Sequence, residues 1–154
     1  MTEAVEATGP LARQLCRILE DTAFMLVENA EAPLPEPALA IQASLAFGGK
    51  ANGICWLVVT EQDARQLATE MLGATHTTEG TSSVCDNATA ELLNILTAWF
   101  LDEWWGDDVE HTLGIPETRR LLLPETRVWT APDTARVVIS TDSGCTFMSC
   151  ITLE

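Results

Sequence analysis

Along the first third of the chain the apolar positions change period twice. Leu11, Leu15, Ile18, Leu19 and the pair Met25–Leu26 recur at helical spacing, which predicts a helix over residues 10 to 29. The three prolines of "NAEAPLPEP" end that pattern. Leu39, Ile41, Ala43, Leu45 and Phe47 then alternate strictly, as on a strand with one buried face. "ICWLVVT" is apolar almost throughout and reads as a more fully buried strand. The turn "GKANG" lies between the two, so a hairpin is predicted.

The helical period returns in "EQDARQLATEMLG", with Ala64, Leu67, Ala68, Met71 and Leu72 on one side. Thr60 can accept a hydrogen bond from the first turn, and Gly73 can end the helix. After the polar loop "ATHTTEGTSS" comes the longest apolar segment, "NATAELLNILTAWFLDEWWG". It predicts a helix over roughly residues 83 to 105, capped by Ser82 or Ser83 and closed by Gly106. Its core line is Leu92, Leu93, Leu96 and Phe100. Past the acidic linker "DDVEHTLGIPE", four pieces read as strands: "RRLLL", "TRVWTA", "ARVVIS" and "CTFMSCITL". The turn "TDSGC" makes a hairpin of the last two. Short turns favour antiparallel neighbours. The prediction is one α+β domain over residues 1–154, a mostly antiparallel sheet with long helices packed on it.

Composition narrows the function classes. The chain has 154 residues, 47% hydrophobic and 20% charged, enough to bury a real core. Its net charge of -15 repels phosphate backbones and anionic membranes, so neither nucleic acid nor a membrane surface is an expected partner. The N-terminal stretch lacks the basic-then-apolar order of a signal peptide, and the apolar runs are too short to span a bilayer. A soluble cytoplasmic protein is expected. Cys16, Cys55, Cys85, Cys145 and Cys150 are odd in number and form no C-x-x-C, which favours small buried thiols over a zinc site or disulfide framework. His76 and His111 stand in separate loop-like stretches; a catalytic or metal-binding pair and plain surface histidines are both readings of them.

The chemistry worth weighing is on the long helix. At about 100° per residue, Glu91 and Asn94 project nearly opposite the core line. As i and i+3 neighbours they can act on one target. Asn87, Ala98 and Asp102 share their stripe, and the small Ala98 would let another surface approach closely. Leu101 and Trp105 flank the same side. Of the tryptophans there, Trp99 and Trp104 fit core and rim packing, whereas Trp105 is expected to be exposed. Taken locally, a Glu and an Asn on the outside of a helix are ordinary solvated residues, and E-x-x-N alone is a short motif.

A longer pattern gives them a meaning. "FGGKANGICWLVVTEQDARQLATEMLG", "DNATAELLNIL" and "LGIPE" follow one another in an order that resembles the CheC/CheX family of chemotaxis phosphatases. The family pattern is a glycine-containing hairpin, a short helix ending near Leu-Gly, a long helix bearing E-x-x-N, and a proline about twenty residues on. Here these correspond to Gly48–Gly53, Met71–Gly73, Glu91 with Asn94, and Pro116. Three departures stand out. Asn87 takes the place of the usual Asp or Ser four residues before the Glu, with Asp86 beside it. Pro116 comes about one residue early. "TAWFLDEWWG" replaces the small Gly-rich sequence that often follows the Asn. The first helix has no E-x-x-N, so the pattern resembles single-site CheX more than two-site CheC.

The resemblance implies hydrolysis of the aspartyl phosphate of a CheY-type receiver domain. Asn94 would orient the attacking water and Glu91 would dock against the receiver's active-site lysine, with Asn87, Ala98 and Trp105 as partner-binding residues. It implies no metal or cofactor of the chain's own, since Mg²⁺ comes with the phosphorylated receiver. It also implies a homodimer formed through the sheets. The alternative is a non-catalytic module of the same fold that docks a receiver or a flagellar-switch component.

Overall fold

The structure, a computed structural model, describes residues 6–73, 81–123 and 135–154. The described residues form α1 (Thr8–Thr22), β1 (Val27–Asn29), β2 (Ala38–Gly48), β3 (Gly53–Thr60), α2 (Glu61–Leu72), α3 (Thr81–Trp105), β4 (Thr112–Leu113), β5 (Glu117–Leu123), β6 (Ala135–Thr141) and β7 (Thr146–Leu153). The strands make one sheet in the order β1-β6-β7-β3-β2, with every pairing antiparallel. The remaining edge of β2 is shared: Phe47 and Gly48 pair with β4, and Ala38 to Ser44 pair with β5. The expected mostly antiparallel α+β architecture is what forms.

Alternation along the strands decides which side the helices cover. Ile41, Ala43, Leu45 and Phe47 of β2, Cys55, Leu57 and Val59 of β3, and Phe147 and Ile151 of β7 face the helices and join them in one core. The residues between them, Ala40, Val58, Met148 and Cys150, form a second apolar cluster on the opposite face with Leu121 and Leu123.

The helix-capping predictions at α2 hold. Thr60 Oγ1 accepts from the Asp63 N–H at 3.1 Å, and Gly73 ends the helix at φ +94°. The first helix is shorter than its period suggests. It stops at Thr22, the Met25 N–H bonds back to the Leu19 carbonyl at 2.9 Å, and Phe24 between them takes φ +56°. That turn redirects the chain, and Val27–Asn29 joins the sheet edge beside β6 instead of continuing the helix. The long helix begins at Thr81, just before the predicted start; the side chains of residues 81–83, including the proposed caps, lie outside the described residues. So do "TRVWTA" and His76.

Along α3, Leu92, Leu93, Leu96 and Phe100 are fully buried as predicted. Ala88, Thr89, Thr97 and Leu101 are buried as well. The arc is wide because α3 lies over β2 and β3 with α1 on one flank and α2 on the other. The two buried threonines satisfy their hydroxyls internally: Thr89 donates to the Cys85 carbonyl at 2.8 Å and Thr97 to that of Leu93 at 2.7 Å. What remains open to solvent is a narrow outer ridge.

Candidate functional site

That ridge carries the predicted pair. Asn87 and Glu91 are exposed, and Asn94, Ala98 and Asp102 are half-buried along the same line. The side chains of Glu91 and Asn94 make no hydrogen bond or ion pair with other described residues. They stand about 4.5 Å apart along the axis, at 1.5 Å rise per residue. The fold does not consume these two polar groups, yet the helix beneath them is among the most deeply packed elements of the chain. A rigid support under unengaged polar groups suits a binding or catalytic surface.

Ion pairs fix the ridge at both ends. Near its start, Arg120 of β5 donates through Nε to Glu61 Oε2 at 2.7 Å and through Nη1 to Asp86, tying β5, the first turn of α2 and α3 together. Burial alone would lower the Arg120 pKa; its bonds to Asp86 and Glu61 outweigh that and raise it. Asp86 is therefore turned away from the ridge, and Asn87 is the residue on the Glu91 line. Farther along, Asp102 Oδ1 lies 3.3 Å from Nε2 of His111, which comes from the segment after α3. On the α1 side, Arg13 Nε donates to Glu103 Oε2 at 2.9 Å and Gln14 Nε2 to Glu103 Oε1 at 2.7 Å. The hydrogen bond from Arg13 holds the Glu103 carboxyl below its ordinary pKa.

Trp105 departs from expectation. It is only 9% exposed, so it does not line the ridge as a partner-binding residue would. Its ring meets Phe47 edge-on at 5.8 Å and stacks on Trp104 at 5.7 Å, and Trp104 stacks in turn on Phe100 at 5.2 Å. The cause lies beyond the helix. The β2–β3 turn and the chain returning toward β4 close over the last turn of α3, with Gly49 against the Trp105 ring. Leu101 is covered too. For Trp105, coverage by the β2–β3 turn overrides what helical geometry alone suggests.

No metal centre is assembled among the described residues. All five cysteines are free thiols, four of them buried. Burial pushes Cys55 and Cys145 up to about 11, which keeps them protonated and poor nucleophiles.

This sheet, with the three described helices on one face, has the fold of CheX and CheC-like chemotaxis proteins. CheX from Vibrio vulnificus superposes with a TM-score of 0.73 at 16% identity, covering 97% of this chain and 99% of that one. CheX from Desulfovibrio desulfuricans gives 0.72 at 16% identity, covering 97% and 100%. The Borrelia burgdorferi chain in a crystal structure of a CheX–CheY–BeF3–Mg²⁺ complex gives 0.67 at 16% identity, covering 97% and 99%. No protein-family model matches the chain, and no curated protein matches it either. At these identities the likeness is one of fold. Among the described residues no helix is long and apolar enough to cross a membrane.

Proposed function

We propose that this chain is a phosphatase for the aspartyl phosphate of a CheY-type receiver domain. The observation that carries the reading is the unengaged Glu91/Asn94 pair on the open ridge of a rigidly packed helix. A relative of the same fold has been crystallised with CheY carrying BeF3 and Mg²⁺, which supports a receiver as the partner.

The receiver supplies the phosphoryl group, the metal ion and a lysine. Asn94 supplies position. Its side-chain carbonyl accepts a hydrogen bond from a water and its amide N–H steadies the same water in line with the P–O bond to the aspartate. The water oxygen bonds to phosphorus as the bond to the aspartyl oxygen breaks. The carboxylate leaves with the bonding pair, and the water's proton leaves on the phosphate or to solvent. The products are inorganic phosphate and the free receiver. Glu91 accepts a charge-assisted hydrogen bond from the receiver lysine and sets the docking register. Ala98, one turn beyond Asn94, leaves room for the receiver surface. The homodimer through the sheets that the sequence resemblance implies belongs to the same proposal.

Of the departures from the family pattern, Asn87, Ala98 and Asp102 lie on this ridge, while the bulky aromatics of the altered flank do not. Phe100, Trp104 and Trp105, which replace the small flank, are directed into the core stack. The test is to mix the protein with phosphorylated receivers of its own organism and follow phosphate release. Release above the receivers' own rate is expected. Binding without release would replace the reading with that of a docking module, and neither binding nor release would remove it.

A further inference from the structure

Phe24 is built against two preferences at once. It is 73% exposed, the ring of a large apolar residue held out in solvent. Its φ of +56° is left-handed backbone, which bulky side chains rarely adopt. The position lies in a seven-residue turn closed by the Met25 N–H to the Leu19 carbonyl, just past the end of α1, where a left-handed residue is ordinarily glycine. Among the described residues nothing uses the ring: Phe24 belongs neither to the main core nor to the residues packed against it.

Its place in the fold gives it a context. α1 and α3 run antiparallel: Arg13 meets Glu103, and Arg17 lies over the Trp99 ring at 4.3 Å from its centroid. Each step of four residues along α1 thus matches a step of four back along α3. Continued, that register brings Thr22, the last residue of α1, level with Asn94. Arg13, Arg17 and Asp21 share one ridge of α1, spaced at helical intervals, and Phe24 follows in the turn two residues past the helix end. Arg17 is 59% exposed on its indole platform and also approaches Asp21 at 3.7 Å. In a chain with only eight basic residues, two arginines lie on this ridge beside α3, Arg13 paired with Glu103 and Arg17 near Asp21 with most of its side chain exposed.

We propose that this ridge, Arg17 and Phe24 above all, is the second half of the receiver-docking face. It would take a carboxylate and an apolar side chain on the receiver flank next to its active-site lysine. The inference rests on the receiver reading above. Glu91 and Asn94 alone define one line of contact, about which a partner could rotate; a second line bearing the exposed Arg17 and the apolar Phe24 fixes that rotation and selects among receivers.

The experiment uses Phe24→Gly, because glycine relieves the backbone while removing the ring. The full chain is titrated with a CheY-type receiver loaded with beryllofluoride and Mg²⁺, and turnover of the phosphorylated receiver is measured in parallel. Phe24→Gly is expected to melt no lower than wild type, to weaken receiver binding about tenfold, and to leave kcat at saturation unchanged. Arg17→Glu is expected to weaken binding too, with a changed salt dependence. Unchanged affinity in both variants, beside a wild type that binds and hydrolyses, overturns this inference alone. A wild type that binds no receiver overturns it together with the receiver reading. A change of oligomeric state in Phe24→Gly overturns it in favour of a contact between copies of this chain.

Discussion

Gly49 and Trp105 are in contact across the β2–β3 turn: a Cβ at Gly49 would fall 2.9 Å from Cζ3 of the ring and 2.8 Å from the Glu110 carbonyl. With φ +147° as well, the position has neither the backbone nor the space for a side chain. Gly49→Ala is expected to cost about 1–3 kcal/mol, the scale of overpacking at a closed contact. Denaturant unfolding checks the loss. Tryptophan fluorescence of the variant should shift red as Trp105 is uncovered.

Arg120 holds the start of the ridge. Its side chain and those of Glu61 and Asp86 are each roughly one-third exposed, so the triad lies between surface pairs and buried ones. Arg120→Met leaves two carboxylates facing each other without their cation. The expected cost is about 1–3 kcal/mol, above an exposed ion pair and below a fully buried one. Asp86→Asn in the same background should recover part of it. No coupling between the two changes in a double-mutant cycle would show that the contact carries no energy.

The parts of the fold that could be read from the sequence are those set by local rules. The β2–β3 and β6–β7 hairpins, the Thr60 cap and the core line of α3 each follow from a period of two or 3.6 and a turn residue. What could not be read depends on other segments. Met25 and Leu26 continue the helical period of α1 by coincidence, because a Phe in a glycine-like conformation is no turn signal. β1 and β4 are too short to show a period and exist because neighbouring strands offer an edge. Glu91 and Asn94 were placed correctly because their stripe is a property of the helix alone. Trp105 was misplaced because its cover arrives from the β2–β3 turn. Asp86 gave no sign of its partner, which lies 34 residues away on strand β5.

Leu96 is the centre of the α3 core line and is fully buried. Leu96→Ala removes three heavy atoms from a site where sheet and flanking helices already meet. The expected destabilisation is about 2–5 kcal/mol. A loss below 1 kcal/mol by chemical denaturation would mean that the helix is not seated as described.

Ala98→Arg tests whether a partner approaches the ridge closely. The position is half-buried and turned away from the sheet, so the long side chain can extend into solvent and the fold should survive. Receiver binding should be lost by obstruction, while thermal unfolding stays near that of wild type. An unchanged titration would move the docking face off the ridge.

Glu91 and Asn94 should fail in different ways, because one is assigned contact and the other chemistry. Asn94→Ala keeps the helix, since alanine is the better helix former and the amide makes no bond within the fold among the described residues. It removes the group that would hold the water in line. The expected result is receiver dephosphorylation at its own intrinsic rate, with affinity for a beryllofluoride-loaded receiver nearly kept. Glu91→Ala removes a charge-assisted contact of the kind worth about 1.5–3 kcal/mol, so affinity should fall roughly tenfold to a hundredfold. Turnover at saturating receiver should fall much less, because the water and its amide remain in place. Glu91→Gln should bind at an intermediate level, keeping an acceptor without the charge. Stopped-flow phosphate release and a binding titration on the same preparations separate the two effects. If Asn94→Ala dephosphorylates a cognate receiver as fast as wild type, the amide does not hold the water and the mechanism is wrong. If both variants lose affinity and neither loses turnover, the ridge docks the receiver without contributing to the reaction.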